Sequence, residues 1–233
     1  MSLFLAYFDP VRAVVCSDNR AILYDEAGSL QTMAGSVPKF SVIGDQIIAV
    51  VGRSDLSRRV QDGFARLLAD FPATPMIDVA IALRSFATKA FGERMPREHD
   101  VEQLDVLELA AIGWDADKQR IRCWTLVSGD KFQLYEMTGT PDARIFALGY
   151  YNPTDRLRLE QLSDEMTIAT LRRPAWIAAA LRSAANDLHD KYPDYIGPAS
   201  YFAALEKDAI AELPREFPAL PETEIPPFGF RRD

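Results

Sequence analysis

The chain has only two cysteines and two histidines in 233 residues. Cys16 and Cys123 both sit inside apolar runs, so no disulfide framework is implied. A reducing compartment fits them, and a cytoplasmic location is expected. His99 and His189 are too few for a histidine-rich metal site, and both read as solvent-facing. Positive charge is also short. Lys plus Arg number 26 against 34 for Asp plus Glu, a net charge of −8. That balance argues against a nucleic-acid groove, which needs a basic face, and weakly against an anionic membrane surface. Long apolar runs are missing. Leu3 to Phe8 is short, has no basic residue before it, and breaks at Asp9-Pro10. It is neither a signal peptide nor a membrane span, which needs about 20 apolar residues. The nucleotide motif G-x-G-x-x-G, the P-loop, the G-x-S-x-G elbow, C-x-x-C, H-E-x-x-H and the EF-hand loop are all absent. No cofactor and no metal are expected.

What is present is an ordinary globular balance of 48% hydrophobic and 26% charged residues. A core of useful size needs no covalent staple. "LFLAYF" and "RAVVCSD" flank Asp9-Pro10 and read as a hairpin. "KFSVIG" and "QIIAVVG" flank Gly44-Asp45 and read as a second, with an excursion between the two. Together they read as one antiparallel sheet. Two helices follow. One is capped by Ser54 and carries Leu56, Val60, Phe64, Leu67, Leu68 and Phe71 at helical spacing. The other starts at Thr74-Pro75 and buries Val79, Leu83, Phe86 and Ala90.

Residues 92–105 are polar and loop-like. "VLELAAIGWD", "QRIRCWTLVS", "KFQLYEMT" and "RIFALG" form a second antiparallel run. A short helix over about 154–162, a longer one from Arg173-Pro174, and a last strand complete the order. Two sheets and two helix pairs predict an α+β fold, a four-layer αββα sandwich, over residues 1–212. Residues 213–233 hold five prolines and predict an extended tail. It is either unstructured or packed on a neighbouring subunit through Phe217, Phe228 and Phe230.

"LFLAYFDPVRAVVCSDNRA" followed by "PKFSVIGDQIIAVVGRSD" resembles the opening of proteasome-type N-terminal nucleophile (Ntn) hydrolases, and of proteasome β-subunits in particular. That family has a strand, a tight turn, a second strand ending in A-D-x-R, a lysine opening the third strand, and a glycine turn before the first helix. "LAAIGWDADKQRIRCWTLVSGD" resembles its central strand and turn, and "KYPDYIGPASYFAALEKDAI" its closing loop and strand. No single motif is specific; their order and spacing over roughly residues 2–210 carry the likeness.

The resemblance implies a proteasome-like peptidase or amidohydrolase. A gapless count from Asp18 lands the family's nucleophile on Ser2, exposed as the chain terminus once Met1 is removed. Its free α-amine would serve as general base. Lys39 would lower the cost of the deprotonated nucleophile, Asp18 would hold Lys39, and Arg20 would fix Asp18. The Gly52 N–H would face the oxyanion, and Asp194 would match the second acid. The resemblance also implies a homo-oligomer, ring or smaller, acting on peptides. Whether an ATPase partner exists stays open.

The pattern departs from the family in several places. Serine replaces the usual threonine. Tyr150 stands where one supporting serine belongs, and Gly197 or Pro198 where the other does. The excursion before Lys39 is longer than usual. Each residue also has a plain structural reading: Ser2 as an ordinary second residue, Asp18 and Arg20 as a strand-end ion pair, Lys39 as a solvated lysine, and Gly52 as a turn glycine. With Met1 retained, the Ser2 nitrogen is an amide and cannot act as a base. The second reading is therefore a catalytically inactive relative serving as scaffold or binding subunit.

Overall fold

Asp9 turns the chain back on itself. Its Oδ1 accepts the N–H groups of Val11 at 2.8 Å and Arg12 at 2.9 Å, the local bonding that favours Asp in turns. Strands β1 (Phe4–Phe8) and β2 (Arg12–Asp18) then pair antiparallel, with Phe4 opposite Ser17. The structure, a computed structural model, describes residues 2–24, 30–33, 37–52, 54–70, 75–94, 107–137, 144–149, 174–207 and 209–213.

The remaining strands are β3 (Ala21–Tyr24), β4 (Leu30–Met33), β5 (Phe40–Ile43), β6 (Gln46–Val51), β7 (Glu108–Asp115), β8 (Arg120–Val127), β9 (Tyr135–Met137), β10 (Arg144–Leu148), β11 (Ala199–Glu206) and β12 (Ala209–Glu212). Among the described residues the α-helices are α1 (Ser54–Ala69), α2 (Met76–Arg94) and α3 (Pro174–Lys191). One sheet has the order β10-β1-β2-β11-β12 and another β5-β6-β7-β8-β9, each antiparallel throughout; β3 and β4 pair only with each other.

The fold is α+β, and alternation along the strands explains its cores. Leu3, Leu5 and Tyr7 meet α3 through Ile177, Leu181 and Leu188. Phe4, Ala6 and Phe8 face the other way and meet Ile47, Ala49, Val51, Ala110 and Ile112 of the second sheet. Ile48, Val50, Leu109 and Ala111 then face α1 and α2. Strands buried on both faces must be apolar at nearly every position, which is why "FLAYF" and the "IIAVV" that follows Gln46 run without a charged interruption. The Phe4 ring stacks edge-on against Phe40 and tilts against Phe146, both at 6.1 Å. Such pairs add to the burial of the rings themselves.

Several expectations need correction. The first two hairpins are not one sheet: β1–β2 and β5–β6 belong to opposite sheets, because Phe40 of the second hairpin packs against Phe4 in the core between them. The excursion contains its own pair, β3 and β4. The last strand is followed by one more, β12, and Leu213 still donates its N–H to Phe202. The strand expected over "KFQLYEMT" shortens to Tyr135–Met137, because Lys131 and Phe132 turn at φ 59° and 57°. His189 is half-buried, its Nδ1 2.7 Å from the Ile196 carbonyl, so it does not face solvent freely. The helix over 154–162, the tail from 214, and His99 lie outside the described residues.

Arg122 ties the far end of the second sheet together. It donates to Asp115 at 2.8 Å and to both oxygens of Glu136 at 2.8 Å. Hydrogen bonding from Arg122 draws the Glu136 carboxyl below its ordinary value. Burial alone would raise Asp115, but bonds from Arg122 and the Lys118 N–H outweigh it and lower it. Depressed carboxylates stabilise the fold above their ordinary values of 3.8 and 4.5; that contribution is lost as pH falls through the folded values. Glu136→Gln is therefore expected to lower stability at neutral pH and to flatten its pH dependence on the acid side. Urea midpoints from neutrality to about pH 3 would show it; an unchanged acid slope would contradict it.

Candidate active site beside the first hairpin

The register of the first hairpin fixes what lies beyond it. One step past the Phe4–Ser17 pair, Asp18 donates its N–H to the Leu3 carbonyl at 3.1 Å. Its carboxylate returns the contact, with Oδ1 accepting the Leu3 N–H at 3.1 Å. Oδ2 accepts the N–H of Gly197 at 3.0 Å, from the segment that joins α3 to β11. The Asp18 side chain is fully enclosed. Ser2 is thus the next residue along from a main chain clamped by a buried carboxylate, and is itself only 6% exposed.

Lys39, immediately before β5, is 5% exposed. Its Nζ donates to the Arg20 carbonyl at 2.7 Å, and its N–H donates to Ser17 Oγ at 3.3 Å. Asp18 and Lys39 act on each other through space. Burial pushes the Asp18 carboxyl up, opposed by the Lys39 charge and by N–H groups of Gly197, Leu3 and Arg20. Burial pushes the Lys39 ammonium down, opposed by Asp18. Burial outweighs the carboxylate here, so Lys39 gives up its proton more readily than a surface lysine.

Arg20 supports Asp18 through its backbone N–H. Its guanidinium instead donates to the Pro193 carbonyl. Gly52 follows β6 with φ 142°, a conformation side chains avoid. It adjoins Val51, and Val51 and the Ser2 carbonyl both press against Gly149, where a Cβ would collide with each of them. That shared contact brings the β6 end, the β10 end and Ser2 to one place. Asp194 is exposed in the turn that Tyr192 and Tyr195 close, and no hydrogen bond joins it to Asp18 or Lys39 among the described residues. A side chain at Gly197 would strike Asn19 and Arg20, so no serine fits there. Tyr150 lies outside the described residues.

Sequence reasoning missed Glu108, Gly149 and the Gly197 amide. Glu108 could have been found: it interrupts "VLELAAIG" with a lone charge. Among the described residues, no group of three or more His, Cys, Asp or Glu is placed to hold a metal. No described helix is long and apolar enough to cross a membrane.

No protein-family model matches the chain, and no curated protein matches it. A solved structure of a Gly-1 mutant of Anbu from Hyphomicrobium sp. strain MC1 is similar. Its TM-score is 0.64 at 13% identity, covering 93% of this chain and 86% of that one. Likeness at that identity is one of fold: this chain shares the fold of that Anbu structure. The expectation of membership in the proteasome-type Ntn hydrolase family, β-subunit-like, is corrected accordingly. No family model carries it, and the structural likeness, at 13% identity, reaches only the fold.

Proposed function

We propose that the protein is an N-terminal nucleophile amidohydrolase, acting on amide bonds such as those of peptides, with Ser2 as nucleophile after removal of Met1. One observation supports this above the others: the buried Asp18 carboxylate is bonded to the main chain of Leu3, and the likewise buried Lys39 ammonium, held by the Arg20 carbonyl, acts on it through space. Such a pair is costly to bury, and it stands next to the one hydroxyl that could also carry a free amine.

In this reading the Ser2 hydroxyl attacks the amide carbon, and its proton passes to the α-amine, whose ordinary pKa is near 8. The Lys39 charge favours the anionic intermediate, and the Gly52 N–H donates to its oxygen. The C–N bond then breaks, the leaving amine takes the proton from the α-ammonium, and a Ser2 ester remains. Water, deprotonated by the same amine, cleaves the ester and restores Ser2. We place Arg20 as a support of Asp18 and Asp194 outside the reacting groups. The αββα layering belongs to this proposal, as do a homo-oligomeric assembly and a cytoplasmic setting, which the buried free thiols Cys16 and Cys123 fit.

A peptide epoxyketone closes its ring adduct only on a residue with both a hydroxyl and a free amine. The expected result is an adduct on Ser2, absent in Ser2→Ala, in protein whose intact mass lacks Met1. Complete retention of Met1, or no adduct in processed protein, would overturn the reading. The second reading, an inactive protein of the same fold acting as a scaffold, is favoured by the near-complete burial of Ser2 and the exposed position of Asp194.

A further inference from the structure

Glu108 opens β7, and its carboxylate is 2% exposed. Its neighbours Leu107 and Leu109 face α1 and α2, while Ala110 and Ile112 face the first sheet. Glu108 shares the second direction, because its Oε2 accepts the N–H of Gly149 at 3.0 Å. Gly149 directly follows β10 of the other sheet. The side chain therefore spans the gap between the sheets at the Ser2 end. A buried carboxylate in an apolar layer is unfavourable unless its oxygens are bonded, and a leucine there would avoid that desolvation cost. Gly149 has φ +86° and no room for a side chain, because the Ser2 carbonyl and Val51 fill the space. Whatever fixes the Gly149 amide thus fixes the surface on which Ser2 rests.

We propose that Glu108 is a positioning residue of the Ser2 site: its carboxylate holds the Gly149 amide, and Gly149 sets the backbone of Ser2. The proposal rests on the reading of Ser2 as nucleophile for its catalytic consequence, but the clamp itself can be tested without it. Glu108→Gln keeps an acceptor oxygen at the same reach. Glu108→Leu keeps volume and removes the acceptor. Glu108→Asp keeps the charge but withdraws it by one methylene, and serves should the leucine variant not fold.

Epoxyketone adduct formation is expected to slow about tenfold or more in the leucine and aspartate variants. The glutamine variant should recover most of the rate. Thermal stability should fall in the leucine variant, which leaves the Gly149 N–H without its acceptor, and return in the glutamine variant. Labelling and exchange compared well below the melting temperature separate positioning from support of the fold. Amide exchange read by NMR should accelerate by about tenfold at Leu3 and Gly149 in the leucine variant, while amides of β8 stay protected. Parental labelling and exchange in that variant would overturn the proposal, as would acceleration spread evenly over both sheets. Selective exchange in a protein that never labels would retain the clamp and reject the hydrolase reading. Labelling that is indifferent to position 108 would do the reverse.

Discussion

Lys39→Ala is expected to cost about 1–3 kcal/mol of stability and to end epoxyketone labelling of Ser2. The magnitude comes from what would be left behind. Asp18 is fully enclosed, and without the ammonium its charge would be balanced only by backbone N–H groups of Leu3, Gly197 and Arg20. A surface lysine replaced by alanine typically changes stability by less than about 0.5 kcal/mol, so the two cases are separable by urea denaturation. The pH dependence adds a second signature. Burial already raises Asp18 above its ordinary 3.8, and loss of Lys39 raises it further. An acid whose folded value is raised favours the fold at low pH, and that advantage disappears as pH rises through the folded value. The deficit of Lys39→Ala should therefore be full at neutral pH and shrink on acidification toward the ordinary carboxylate value. Adding Asp18→Asn should recover part of it. A deficit that is small and flat with pH would show that Lys39 is no partner of Asp18.

Gly149→Ala is expected to destabilise by about 2–4 kcal/mol, from the left-handed backbone and the steric conflict together. The new methyl would meet the Ser2 carbonyl and the Val51 side chain. The first is backbone and the second a β-branched side chain in a packed layer, so neither yields cheaply. Gly92→Ala is the control, because a Cβ there meets nothing within 4 Å and the residue is helical. That change should be neutral or stabilising by up to about 1 kcal/mol. Comparable melting temperatures for the two variants would contradict the crowding at Gly149. Labelling of Ser2 should fall in Gly149→Ala even at temperatures where the variant is fully folded.

The strands and helices were legible because their periodicities are local. Asp9-Pro10 and Gly44-Asp45 mark hairpins wherever they occur, and Leu56, Val60 and Phe64 can share only a helical face. Sheet membership was not legible. Nothing in "KFSVIG" states that Phe40 meets Phe4 across the gap between two sheets instead of joining its ladder; that choice is made by tertiary packing. In the site, the distance from Ser2 to Asp18 was readable because one tight hairpin spans it. The Gly197 amide, 179 residues from Asp18, had no sequence signal at all. Arg20 was read as the anchor of Asp18 by side chain, and its guanidinium went instead to Pro193, since backbone N–H groups already filled the carboxylate. Glu108 was visible as an odd charge and passed over, because a strand-end acid is ordinary until its partner on the other sheet is known.

The first sheet is stitched from both ends of the chain. Leu5 pairs with Ala147, and Cys16 with Phe202. During synthesis the opening hairpin must therefore wait for strands that do not yet exist. At about 5–20 residues per second, the wait for β11 is roughly 10–40 s. For much of that interval Ser2 lacks part of its finished surroundings: the Gly149 contact comes only with the end of β10, and the Gly197 bond to Asp18 only just before β11. Under the function proposed above, trimming of Met1 is then a race against folding: the enzyme that removes it has its access while the ribosome is still working, and loses it as the finished fold closes over Ser2. Slowing that trimming, with the folded protein unaltered, would fix the fraction of chains that carry a free Ser2 amine.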